Sequence, residues 1–285
     1  MGADIFRLYK KYARGGMDRR QFLENLAVLA GGTAAAVVYL PALEADAMAS
    51  QIVPKDDPRL ETGTIKYPAE SGEMRAYQAR PKGGAKLPGV VVVHENRGLN
   101  AHIEDVARRV ALEGFIVVAP DALTPLGGTP SDSDQARTLI QKLDRDANTK
   151  NFVAAVAYLK TNPQATGKVG CMGFCWGGGV VNQVAVNSPD LNAAVPFYGL
   201  QPAPADVPKI KAAMLIHYAS DDSWIDPGIP AFEEALKKAG IKYAIYRYEG
   251  TKHAFMNDTG ANYNKEAAEL AWKRTIAFLK EMFKS

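Results

Sequence analysis

The chain has 285 residues, of which 47% are hydrophobic and 23% charged, with a formal net charge of +3. That length suffices to bury one large α/β core, and the composition is that of a globular protein rather than a disordered or fibrous one. The small net charge, with no long Lys/Arg run beyond residue 50, argues against a nucleic-acid partner. Two cysteines, Cys171 and Cys175, with no C-x-x-C pair and no clustered histidines, give no support to a zinc site.

Residues 1–49 are a different material from the rest. Met17-Asp18-Arg19-Arg20-Gln21-Phe22-Leu23 sets two arginines ahead of an aromatic residue and a leucine. A stretch of small apolar residues follows over 26–43, interrupted by Gly31-Gly32. Ala45-Asp46-Ala47 and Ala47-Met48-Ala49 then offer small-x-small cleavage sites. The segment resembles a twin-arginine export signal, which implies delivery of a folded protein to the periplasm or beyond. The competing expectation is an uncleaved N-terminal anchor segment on a cytoplasmic protein, favoured by Glu24 and by the long lead before the arginines. The stretch is too short and too interrupted for a stable membrane span.

Residues 50–285 read as a single α/β domain. Residues 64–67 and 74–79 read as strands around Ser71-Gly72, an antiparallel edge pair. The valine run over 89–94 has the continuous apolar character of a strand buried on both faces. A helix is expected over 103–112, with Ile103, Val106, Val110 and Leu112 mostly on one side. A buried strand over 115–118 and a Pro/Gly-rich loop over 121–133 come next, the loop as part of a site rim. Helices follow near 133–143 and 149–161. The remainder alternates: a strand up to Met172, a helix from Val180, a strand over 193–198, a strand over 213–219, a helix over 229–239, a strand over 243–248 and a helix over 264–283. No internal repeat or linker interrupts this order. The expected fold is therefore α/β, with a mostly parallel central sheet and helices on both faces.

Chemistry concentrates at Gly173-Phe174-Cys175-Trp176-Gly177-Gly178-Gly179, between the strand ending at Met172 and the helix from Val180. G-x-S-x-G in that context is a nucleophile elbow; here the central residue is Cys175. Glycines are needed there because helix and strand pass too closely for a Cβ. The helix N-terminus places partial positive charge near a thiolate and near an oxyanion formed beside it. An elbow alone is a weak signal, since small residues between strand and helix often serve packing. It gains weight from the chain order nucleophile, acid, base. Asp221 and Asp222 follow the 213–219 strand, and His253 follows the 243–248 strand. Both loops lie at C-terminal strand ends, where open parallel sheets bind ligands. His94, His102 and His217 read instead as a site-flanking residue, a solvated helix-start residue and a core residue. Cys171 reads as a small buried apolar side chain.

Across roughly residues 60–283 the chain resembles the dienelactone hydrolases (carboxymethylenebutenolidases), a Cys-His-Asp branch of the α/β-hydrolases. The resemblance rests on Val91-Val92-Val93-His94-Glu95-Asn96-Arg97-Gly98, Ala119-Pro120-Asp121, the Cys175 elbow, Asp222-Ser223-Trp224-Ile225 and His253-Ala254-Phe255. The family sets its acid three residues before a β-branched apolar residue, which selects Asp222, ahead of Ile225, over Asp221. Asp226, ahead of Pro227, then reads as a helix cap.

The resemblance implies Cys175 as nucleophile, His253 as base and Asp222 as its orienting acid. Glu95 would contact the resting thiol and take part in its activation when substrate binds. The backbone N–H groups of Asn96 and Trp176 would form the oxyanion hole. The implied reaction is hydrolysis of a small-molecule lactone or ester through an acyl-thioester, with no cofactor and no metal. One feature departs from the family. It holds its substrate's carboxylate with arginines, one of them four residues after the base, and that position is Asn257 here. Arg97 and Arg137 are the replacements to consider, while Trp224 and Trp176 suggest an aromatic-lined pocket. A thioesterase or another acyl hydrolase on the same fold is the alternative, and an exported binding protein without turnover is a further one. Oligomeric state is not legible.

Overall fold

The computed structural model describes residues 2–13, 17, 19–32 and 51–284. Two N-terminal helices, α1 (Gly2–Ala13) and α2 (Arg19–Ala30), pack on each other through Ile5, Phe22 and Leu26. The Tyr12 and Phe22 rings stack with centroids 4.4 Å apart. Glu24 faces solvent and pairs with Arg20 at 2.9 Å, so it does not interrupt the apolar side of α2. Most of the apolar stretch and both small-x-small sites lie outside the described residues. Among the described residues no helix is long and apolar enough to cross a membrane.

An eight-stranded sheet forms the body, in the order β1-β2-β4-β3-β5-β6-β7-β8. β1 (Leu60–Ala69) and β2 (Gly72–Pro81) form the expected antiparallel hairpin at one edge. β2 joins β4 (Ile116–Pro120) antiparallel, and every later pairing is parallel. From β3 (Leu87–Val93) the chain passes through α3 (Ala101–Leu112) to β4 on one side. It returns through α4 (Ser133–Ile140) and α5 (Arg145–Thr161) to β5 (Ala165–Phe174) on the other side of β3. The C-terminal ends of β3 and β5 therefore flank the point where strand order reverses, the crevice in which open α/β sheets bind ligands.

The valine run is buried on both faces because successive side chains point to opposite sides. Val90 and Val92 pack with α3 and with α8 (Lys265–Met282). Val91 and Val93 pack with α4, α5, α6 (Trp176–Asn187) and α7 (Ile229–Lys238). β6 (Ala193–Phe197), β7 (Ala213–Asp221) and β8 (Tyr243–Lys252) complete the sheet. Most boundaries shift by a few residues from the sequence reading, and two of the shifts have a plain local cause. α5 begins at Arg145 because the Asp144 carboxylate caps the Ala147 N–H at 2.8 Å. β6 stops at Phe197 because Tyr198 turns to a φ of +37°.

Candidate active site

Cys175 sits between β5 and α6 with φ 55° and ψ −119°. A side chain held there costs on the order of 1–3 kcal/mol, so the surroundings must impose the conformation. Backbone hydrogen bonds from Cys175 N–H to Phe197 C=O (3.1 Å) and from Gly179 N–H to Cys175 C=O (3.2 Å) do so. The glycines answer close backbone approaches. A Cβ at Gly177 would meet the carbonyl oxygens of His94 and Val93 at 2.3 and 2.7 Å, and one at Gly178 would meet that of Phe197 at 2.5 Å. α6 thus points its N-terminus at the β3 end with the thiol above it. Cys171, on the strand itself, is fully buried, and burial pushes its thiol far above the ordinary range.

Asp222 follows β7 and is 6% exposed, whereas its neighbour Asp221 faces solvent. His253 follows β8 and donates from Nδ1 to Asp222 Oδ2 at 2.6 Å. That bond fixes the tautomer and leaves Nε2 for Cys175, which lies close enough to act on the ring's ionisation. Burial alone would lower the His253 pKa. Hydrogen bonds to Asp222 and Cys175, and the negative charge of both, outweigh burial and raise it to about 10. The ring is thus an imidazolium at neutral pH, with a proton available at Nε2. Trp224, 65% exposed, sets its ring 6.1 Å from that of His253. Asp226 is not a helix cap: its carboxylate turns to Arg247 at 2.9 Å, and no side chain caps α7.

Glu95, at the end of β3, is 8% exposed. Its Oε2 accepts from Asn257 Nδ2 at 2.6 Å, and no bond to Cys175 is present among the described residues. Asn257 Oδ1 accepts from the N–H and hydroxyl of Thr259 at 2.9 and 2.6 Å, which fixes the amide's orientation. The Glu95–Gly98 turn carries Asn96 and Arg97, the latter half-buried. Neither the Asn96 nor the Trp176 backbone N–H has an acceptor among the described residues. Arg137 lies on α4, exposed and 3.4 Å from Asp134, as a solvated surface pair.

The other histidines have structural duties. His94 is fully buried and stacked on Trp176 at 5.3 Å. Its Nε2 accepts from the Ala122 N–H at 3.2 Å, so Nδ1 donates to the Glu95 carbonyl at 2.6 Å, and burial lowers its pKa. His217 lies between the Tyr248 and Thr275 hydroxyls, and burial and the Arg274 charge bring its pKa down to about 3. His102 is not solvated. Its ring is 9% exposed and lies 3.2 Å from Asp258, which also pairs with Arg109 at 2.7 Å.

Sequence reading missed two features. One is the Glu95–Asn257 bond across 162 positions of sequence. The other is Tyr198, whose buried ring lies 5.0 Å from His253 and whose hydroxyl approaches the Met256 backbone without completing a hydrogen bond. A tyrosine at the end of a buried strand carries no pattern that marks it.

Known proteins resemble this chain in sequence and in fold. The family model described as "Dienelactone hydrolase family" matches residues 74–283. A protein of Saccharolobus solfataricus named "Putative carboxymethylenebutenolidase" is 33% identical over 256 residues, covering 77% of this chain and 98% of its own. One of Escherichia coli K12 with the same name is 31% identical over 253 residues, covering 83% and 93%. The crystal structure titled "Putative Dienelactone Hydrolase" from Klebsiella pneumoniae superposes with a TM-score of 0.70 at 27% identity, over 78% of this chain and 98% of that one. An esterase of Pyrobaculum calidifontis, 20% identical with a TM-score of 0.63 over 94% of this chain and 92% of its own, shares the fold. The chain belongs to the dienelactone hydrolase family, and is a carboxymethylenebutenolidase-like hydrolase of the α/β-hydrolase fold.

Proposed function

We propose that the protein hydrolyses a lactone or carboxylic ester by acyl transfer through Cys175. The observation that carries this reading is the Asp222–His253 hydrogen bond, ending at a cysteine held on a strained elbow. The Cys175 thiolate attacks the carbonyl carbon. The backbone N–H groups of Asn96 and Trp176 receive the oxyanion, each such donor being worth ~3 kcal/mol in the transition state. The His253 imidazolium protonates the departing alkoxide, which leaves an acyl-thioester. The now neutral His253 takes a proton from water, which attacks the thioester and releases the acid and the thiol. Asp222 holds the imidazole in one tautomer throughout. Glu95 stands beside the path as a positioning carboxylate. The competing thioesterase reading uses the same groups and differs only in the leaving group.

Initial rates of wild type and Cys175→Ala on short aryl esters and on a dienelactone test this. Turnover should vanish with the thiol while the fold survives, as judged by an unchanged thermal transition. Equal rates in the two proteins would remove Cys175 from the mechanism.

A further inference from the structure

We propose that this site selects uncharged esters or lactones and discriminates against substrates that carry a carboxylate; the proposal rests on the Cys175 hydrolase reading above. The reason lies in the company Glu95 keeps. Its carboxylate is 8% exposed and is met by the neutral amide of Asn257 at 2.6 Å. Among the described residues no Lys or Arg pairs with it. Asn257 cannot turn away to admit a cation or present its own oxygen, because both Thr259 donors hold that oxygen. The Asp222 charge is matched by His253 at 2.6 Å, so among the described residues the Glu95 carboxylate at the mouth of β3 has an amide and no cation for a partner.

A second carboxylate brought to within roughly 6 Å of it, at an effective dielectric constant of about 20, would be repelled by an amount worth about a hundredfold in rate. Solvent at the open side reduces that, and tenfold is the expected scale. The rim supplies what a neutral ligand needs instead. Trp224 is 65% exposed beside His253, and Leu200 is 51% exposed, directly after the Gly199 that packs on the elbow glycines. These large exposed apolar side chains, one beside the His253 ring and one beside the elbow helix, reward burial of uncharged surface.

The test uses two p-nitrophenyl esters of adipic acid, one with the distal carboxyl free and one with it methylated, so that leaving group and chain length match. The methylated ester should show kcat/KM at least tenfold higher, and the gap should narrow as salt rises from about 0.05 to about 0.5 M, as repulsion between charges is screened. Asn257→Arg should close or invert the gap. Equal or faster turnover of the free acid overturns the proposal, most directly if Arg97→Gln then abolishes that preference. A gap indifferent to salt overturns its electrostatic origin. Turnover of both esters that survives in Cys175→Ala strikes the nucleophile and leaves the charge preference readable from the two rates. Absence of turnover of either ester by the wild type removes both.

Discussion

Replacing Asp222 with Asn keeps the shape of the side chain that orients His253 and takes away its charge. In the folded protein the His253 pKa stands at about 10 against an ordinary 6.5. At about 1.4 kcal/mol per pH unit that rise corresponds to roughly 5 kcal/mol of gross stabilisation of the imidazolium. Asp222 and Cys175 both contribute, and the ring is 27% exposed, so about 2 kcal/mol is a fair share for Asp222. The folded pKa lies above the unfolded one, so this stabilisation is fully present below pH 6.5 and is lost as pH rises through about 10. Asp222→Asn should therefore lower the His253 midpoint by one to two pH units, roughly, and destabilise the protein by about 2 kcal/mol at neutral pH. Above about pH 10 this charge contribution to the difference should vanish. Ring-proton NMR of His253 gives the midpoint, and urea unfolding near neutral pH and near pH 10.5 gives the difference. A midpoint within about half a pH unit of wild type, or an equal loss of stability at both pH values, would show that the carboxylate does not hold the proton and refute the reasoning.

Gly177→Ala should cost more than its size suggests. Its Cβ would stand 2.3 Å from the His94 carbonyl oxygen, and two backbones must part by about an ångström. Activity should fall about a hundredfold, because the strand end carrying Glu95 and Asn96 moves with it. A fully active, unshifted Gly177→Ala would show that the elbow needs no such clearance. Asp105 is 1% exposed and accepts from the Ile52 and Val53 N–H groups at 3.1 and 2.8 Å while pairing with Arg109. Asp105→Ala leaves these donors unmatched and should destabilise by about 3 kcal/mol in denaturant unfolding; a loss under about 1 kcal/mol would mean that water replaces the carboxylate. Tyr198→Phe removes a buried hydroxyl that lacks a hydrogen bond and should raise stability by about 1 kcal/mol; a clear loss would reveal a partner for that hydroxyl in solution.

The scaffold was legible because its signals are local. Val90 to Val93 announces a strand buried on both faces whatever it packs against, and the glycines of the elbow announce a close crossing of helix and strand before either neighbour is known. The reading slipped where a side chain had two partners to choose between. Asp226 precedes a proline, a setting that reads as a cap, yet an arginine on β8 lies within reach and takes its charge. His102 looked solvated at the start of α3. The loop beyond His253 folds back to lay Asp258 against it, and Asp258 is held below the usual carboxylate range because His102 and Arg109 outweigh its burial.

The same contrast explains which part of the site chain order revealed. Cys175, Asp222 and His253 each follow a strand, and a parallel sheet carries all strand ends to one side, so order in sequence becomes proximity in space. Charge balance has no such rule. That Asn257 stands four residues after His253 is plain in the sequence, but a missing arginine says nothing of what replaces it. Only the fold brings β3 and the loop after β8 together, with three strands between β3 and β8, and there Asn257 meets Glu95 rather than solvent. An arginine in that place would neutralise Glu95 and leave donors to spare for a second carboxylate, whereas an amide spends its one free donor group on Glu95 and offers no charge. Substrate preference in this chain is therefore a property of that pair, and Asn257→Arg is the substitution through which it should change.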